Sequence, residues 1–356
     1  MVRPDARELI NSPDYLAYKI NLETENIEFL AVNQQLIRQA SFLRRDTIAP
    51  DQALIVVPLA EFVPQFDTLN QSIANNPPRF IFHTAYCAST FLSKSLDVEG
   101  RSVGLREPQI LLDAANAKRL RWKSTTTSLD FTKLPELALG LLQKHAKAHE
   151  KLVIKPINSV NNIIPELLQA SPSSRSIVLY TDVKNFLCST LAKGEHGRQR
   201  TRAMFDLLRC DFPQLANLRL SDVIRMSDLK LILTFWRLQI EQAQKMLIDF
   251  GSDTKIVSLY AEKLINDVST ALPIISEHLQ LGISASKMQQ IAISDERLRD
   301  AKNPQQQFSV QKRAENFHKI TDFYAADLEN GYHWMTQNNP AVALYPKLGN
   351  ALAMKS

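Results

Sequence analysis

Residues 79–110 read RFIFHTAYCASTFLSKSLDVEGRSVGLREPQI, and the fold is decided by how this stretch is parsed. Phe80-Ile81-Phe82 is a short apolar run with polar residues on either side. A turn of small residues follows at 84–90, then a run with Phe91, Leu92, Ser95 and Leu96 on one side. The pattern predicts strand, tight loop, helix. Unpaired N–H groups and the positive end of the helix dipole then face whatever occupies the loop, which suits an anion and phosphate above all. Val103-Gly104-Leu105 predicts a second strand that delivers Arg106-Glu107, with Pro108 ending it. An anion cradle followed by a carboxylate is the arrangement of a group-transfer site.

Outward from there, short apolar runs at 152–155, 176–180 and 256–260 alternate with amphipathic runs at 109–120, 134–142, 161–170 and 229–250. Strands alternating with helices imply a mainly parallel sheet covered on both faces, an α/β class. In such sheets ligands bind beyond the carboxyl ends of the strands. The loop at 84–90, Glu107, Lys155 and the segment after Tyr180 all follow strands and are expected at one edge. On the long run 229–250, Trp236, Ile240, Ala243 and Leu247 share a face and are expected in the core.

Before the central stretch, 15–20 and 27–32 are β-prone runs around Glu23-Thr24-Glu25-Asn26 and predict a hairpin, with a helix at 33–40. The segment 51–62 is too uniformly apolar to separate strand from buried helix. A Ser/Thr-rich loop is expected at 123–130. From 182 to 209 the chain reads as helix interrupted at 193–198, and 310–337 as one final helix. The organisation expected is an N-terminal extension, 1–75, packed on a main α/β domain, 76–340, with a tail at 341–356.

The chain has 356 residues, 45% hydrophobic and 22% charged, the composition of a soluble globular protein. A formal charge of +5 suits an anionic ligand and is too diffuse to argue for nucleic acid. Cys87, Cys188 and Cys210 form no CxxC pair, so neither a disulfide framework nor a zinc site is expected. No apolar run approaches a membrane span, and the amino terminus lacks a signal-peptide core, so a cytoplasmic protein with no membrane partner is expected. The histidines show no metal-ligand spacing, and no metal is expected.

With these residues in place, the chain resembles the sulfotransferases that use 3′-phosphoadenosine 5′-phosphosulfate (PAPS), whose fold is P-loop-like. FIFH, YCASTFL and SKSLD look like the family's 5′-phosphosulfate loop, with Ser89-Thr90 at its hydroxyl positions. VGLREPQILL resembles the strand of tyrosylprotein-type and bacterial members that carries a glutamate base, a role that falls on Glu107. SIVLYTDVKNFLCSTLAKGEHGR resembles the 3′-phosphate segment, with Ser189 at its serine. KIVSLYAEKLINDVSTALPIISEHLQLGIS resembles the late strand and helix. The motifs follow one another in the family's order from about residue 79 to 284.

The resemblance implies a P-loop NTPase-like three-layer fold, PAPS as donor, and a small-molecule or conjugate acceptor with a hydroxyl or amine. Donor contacts fall on Tyr86, Cys87, Ala88, Ser89, Thr90, Phe91 and Ser189, with Lys184 or Lys193 beside it. The departures are specific. Ala88 stands where the family has a loop glycine, Tyr86-Cys87 where many members carry a basic residue, and Thr181 at the usual 3′-phosphate arginine. Lys155-Pro156-Ile157-Asn158 replaces the Lys-x-His-x-Pro segment of the cytosolic branch.

Other readings of the same residues stay open at this point. Glu107 could pair with Arg106 or cap a helix beginning at Pro108. Because strand alternation sends neighbours to opposite faces, only one of Arg106 and Glu107 is expected in the site. Arg198, Arg200 and Arg202 fit a solvated face. A catalytically inactive relative that keeps the fold as a binding module is one alternative. A P-loop kinase is another, although no Gly-Lys-Ser/Thr places a lysine against the β and γ phosphates.

Overall fold

The computed structural model describes residues 4–354 except 50, 216, 252–254, 295–309 and 339–345. Among the described residues eight strands form two sheets: β1 (Tyr15–Asn21), β2 (Asn26–Ala31), β3 (Ile55–Pro58), β4 (Arg79–His83), β5 (Ser102–Arg106), β6 (Lys151–Lys155), β7 (Arg175–Tyr180) and β8 (Ile256–Tyr260). The fold is α/β. Its central sheet is parallel and five-stranded, in the order β5-β6-β4-β7-β8, with helices flanking it. Register is set where Gly104 lies opposite Val153 and Arg106 opposite Lys155, and where Phe80 lies opposite Ile154. Prolines at 108 and 156 lack the N–H that would extend the ladder, so β5 and β6 stop at the same level.

The chain groups into two compact units, Met1–Phe82 with Thr90–Ser176 and Leu272–Ile291, and His83–Ser89 with Ile177–Ala271 and Ala292–Ser356. In the first, Phe80, Ile81 and Phe82 of β4 and Val103 and Leu105 of β5 are buried. Each such side chain contributes roughly 1.5–3 kcal/mol by leaving water. The expected hairpin gains a third strand and becomes the antiparallel sheet β1-β2-β3. The ambiguous 51–62 segment is both things in turn, β3 and then a 3-10 helix at Leu59–Gln65. The 123–130 loop is tied down by a carboxylate: Glu25 accepts from the Ser124, Thr125 and Thr126 hydroxyls and from the Thr125 and Thr126 N–H groups.

Asp113, on the Gln109–Leu120 helix, joins that helix to β1. It accepts from the Ile20 N–H at 2.9 Å and from Gln109 Nε2 at 2.9 Å. Burial pushes its carboxyl up to about 6, against the pull of those two hydrogen bonds. A carboxyl raised on folding stabilises most fully below its unfolded value and loses that contribution as pH rises through 6. Asp113→Asn keeps an acceptor for Ile20 and cannot ionise. Urea denaturation should therefore show the variant gaining roughly 2–3 kcal/mol on wild type between pH 4 and pH 8. An equal difference at the two pH values would contradict this.

In the second unit the Asp228–Phe250 helix buries Trp236, Ile240, Ala243 and Leu247, as its periodicity predicts. Trp236 Nε1 donates to the Thr181 carbonyl at 3.0 Å. Residues 348–352 lie beside β8, with Ser258 N–H donating to the Asn350 carbonyl and Leu352 N–H to the Ser258 carbonyl, both at 2.9 Å.

Two helix expectations are corrected. The interruption placed at 193–198 shrinks to 192–193, between the helices Val183–Leu191 and Gly194–Leu208. Gly197 does not break the second helix. A Cβ there would lie 2.1 Å from the Thr190 carbonyl oxygen, so glycine permits a close approach. The single helix expected at 310–337 is two, Val310–Phe323 and Ala325–Asn338. The first packs on the Val183–Leu191 helix and the second on Asp228–Phe250, so different partners set the break at Tyr324. No described helix is long and apolar enough to cross a membrane.

Candidate functional site

The loop predicted between strand and helix runs from Thr84 to Ala88 and leads into the Ser89–Ser95 helix. Its backbone is unusual. Ala85, Tyr86 and Ala88 have φ of 66°, 52° and 60°, in the left-handed region that L-residues avoid at roughly 1–2 kcal/mol each. Ala88 thus takes a left-handed conformation that glycine adopts without a Cβ penalty. The loop is held from outside: Thr84 N–H donates to the Leu179 carbonyl at 3.1 Å and Ala85 N–H to His83 Nδ1 at 3.1 Å. Cys87 is buried, with Sγ 3.4 Å from the Leu179 carbonyl. The Thr84 hydroxyl is fully buried and has no hydrogen-bond partner among the described residues.

Ala88→Gly relieves the left-handed penalty and adds unfolded-chain entropy. The balance is a gain of up to about 1 kcal/mol, measured by urea denaturation. A loss of stability above that size would contradict the geometry described for residue 88.

Tyr86 also fastens the loop to the Val183–Leu191 helix. Its ring meets Phe186 edge-on, with centroids 5.2 Å apart, and Phe186 in turn packs on Phe235 at 5.9 Å. That helix carries Lys184, which is exposed, and Ser189, which is half-buried; Lys193 is exposed just before the next helix. Asp182 caps the helix through the Asn185 N–H at 2.8 Å and also accepts from Asn185 Nδ2 and the Tyr260 hydroxyl. Burial and then the Asp182 carboxylate push the Tyr260 hydroxyl up. Neighbouring Thr181 has a fully buried hydroxyl with no partner among the described residues. Arg198 and Arg202, read as a solvated face, both pair with Asp228, at 3.4 and 2.6 Å.

Glu107 lies in the other unit, one residue past the end of β5. Its φ is +56°. Its N–H donates to the Lys155 carbonyl at 2.7 Å, and Lys155 Nζ donates to its Oε1 at 2.6 Å. The two partners open to sequence reasoning were Arg106 and a helix cap; the observed partner is Lys155. Arg106 points the other way, as strand alternation predicts. It is fully buried, pairs with Asp97 at 3.1 Å, and donates to the carbonyls of Ala40, Ile37 and Arg38. It therefore holds the 37–40 segment on β5 and has no surface left for a donor.

The signal for Lys155 was present in the sequence. Glu107-Pro108 and Lys155-Pro156 each place a charged residue and then a proline at the end of a short apolar run. Neighbouring parallel strands that end alike bring those charges together. Among the described residues no group of three or more His, Cys, Asp or Glu side chains could hold a metal ion.

No protein-family profile matches the chain, and no curated protein sequence matches it. Among solved structures, it is similar to the crystal structure of a sulfotransferase from Mycobacterium avium. The TM-score is 0.39 and the identity 12%, over 73% of this chain and 79% of that one.

Proposed function

We propose that this protein transfers a sulfuryl group from PAPS to a hydroxyl or amine acceptor. The observation that carries the reading is the 84–88 loop, which follows a buried strand and holds three left-handed residues without a glycine. Strain of that kind persists where the surroundings impose it, and it gathers at ligand sites. Consecutive backbone N–H groups in such a turn form a concavity that accepts anions. The Ser89 and Thr90 hydroxyls come directly after it, and the motifs that resemble the PAPS-dependent family follow in order along the chain.

The residues present fit an anionic nucleotide donor. The N–H groups and hydroxyls of 86–91 take the 5′-phosphosulfate oxygens. Ser189, with Lys184 or Lys193, takes the 3′-phosphate; neither lysine has an ion pair among the described residues. Thr181 cannot supply the charge of the family's arginine. The Asp182 oxygens accept from the Asn185 N–H and Nδ2 and from the Tyr260 hydroxyl.

PAPS supplies the sulfuryl group and a phosphate leaving group. Glu107 accepts the acceptor's proton as the acceptor oxygen or nitrogen bonds to sulfur and the bridging S–O bond breaks. The products are the sulfated acceptor and adenosine 3′,5′-bisphosphate.

Incubation with sulfur-labelled PAPS and a panel of phenols, alcohols and amines tests the proposal. Labelled product and adenosine 3′,5′-bisphosphate should form in equal amounts. Label that stays in PAPS across the panel, from a protein that still binds the bisphosphate, would instead make it a binding module.

A further inference from the structure

Strands β5 and β6 end opposite each other at Arg106 and Lys155, and the next residue of β5 is Glu107. Two bonds clamp the pair, one through the backbone at 2.7 Å and one between the side chains at 2.6 Å. The partners differ in exposure. The Lys155 side chain is 0% exposed and that of Glu107 is 17% exposed. The Phe42 ring lies 5.8 Å from the ammonium. Phe42 is held there because Arg106 binds the carbonyls of Ile37, Arg38 and Ala40, while Leu43 N–H donates to the Arg106 carbonyl. Only one Glu107 oxygen is engaged. Oε2 has no partner among the described residues.

We propose that Lys155 is the positioning residue of the reaction: it fixes Oε1 of Glu107 and so aims Oε2 at the acceptor's proton. The assignment rests on the sulfotransferase reading above. A cation with no exposed surface acts on a ligand through a partner, and Glu107 is a charged partner with surface to offer. In the transfer step the acceptor's proton moves to Oε2, the acceptor forms its bond to sulfur, and the bridging S–O bond breaks. Lys155 keeps its own proton throughout. A carboxylate released from such a clamp rotates, and small misplacements of a reacting group are costly.

A double-mutant cycle on kcat tests this, using wild type, Lys155→Met, Glu107→Gln and the double variant. Lys155→Met should lower kcat about 10- to 100-fold, leaving KM for PAPS and the Kd of adenosine 3′,5′-bisphosphate within about threefold of wild type. Lys155→Arg should restore part of the rate. The double variant should be no slower than Glu107→Gln alone, because a residue acting through Glu107 has nothing further to lose. If Lys155→Met does not fold, Lys155→Gln takes its place in the cycle.

Losses that multiply in the double variant, or a bisphosphate Kd that rises with Lys155→Met, would show Lys155 acting on the donor and overturn the assignment. A wild-type protein that transfers nothing from PAPS would overturn the sulfotransferase reading first, and this role with it.

Discussion

Glu107→Gln should lower kcat for sulfuryl transfer by about 10²- to 10⁴-fold, the usual worth of a positioned general base. The substitution is nearly isosteric. Its side-chain carbonyl still accepts from Lys155 Nζ, as Oε1 does at 2.6 Å, but the amide cannot take a proton. The effect should fall on kcat, with the Kd of adenosine 3′,5′-bisphosphate unchanged, because Glu107 holds no part of the donor in this scheme. The variant also leaves a fully buried ammonium without its counter-charge, which lowers stability. Rates therefore need to be read per folded molecule, well below the variant's own melting temperature. A kcat within about threefold of wild type would remove Glu107 from the chemistry.

Arg106→Met should cost roughly 3–5 kcal/mol of stability, the largest expected effect away from the reaction. The guanidinium is 0% exposed and occupied on every side: Nε on the Ala40 carbonyl at 2.7 Å, Nη2 on those of Ile37 and Arg38 at 2.7 and 2.6 Å, and Nη1 on Asp97 at 3.1 Å. Methionine fills much of the volume but leaves these buried acceptors unsatisfied. Asp97 keeps its second partner, Arg38, which also binds Glu150 at 2.7 Å, and this limits the loss. Arg106→Lys should rescue little, since one ammonium cannot span the fork of acceptors that a guanidinium reaches. In urea the midpoint should fall with little change in slope. A loss below about 1 kcal/mol would mean that the 37–40 segment is not anchored as described.

The sheet was legible in the sequence because each strand announces itself locally. Phe80-Ile81-Phe82, Val103-Gly104-Leu105 and Leu152-Val153-Ile154 are apolar runs stopped by prolines or small residues, and they stand as β4, β5 and β6. Partners were less legible, because they are set by register and packing between distant segments. Alternation alone separated Arg106 from Glu107, yet nothing near Arg106 in the chain announces that carbonyls at 37, 38 and 40 would complete it. The break at Tyr324 has no proline or glycine beside it. It follows from the two halves packing on different helices. Ala88 teaches the same lesson at the level of one residue. Composition argues against a left-handed backbone there, and the fixed ends of the loop impose one.

We propose that the 84–90 loop and the Val183–Leu191 helix hold a nucleotide bearing 3′ and 5′ phosphates. Calorimetric titration with adenosine 3′,5′-bisphosphate, run beside ATP with magnesium, tests it most directly. Saturable binding of the bisphosphate with micromolar Kd is expected, with no comparable binding of ATP. Absence of bisphosphate binding up to about 1 mM, where the free energy of binding is only about −4 kcal/mol, or tighter binding of magnesium–ATP, would contradict it.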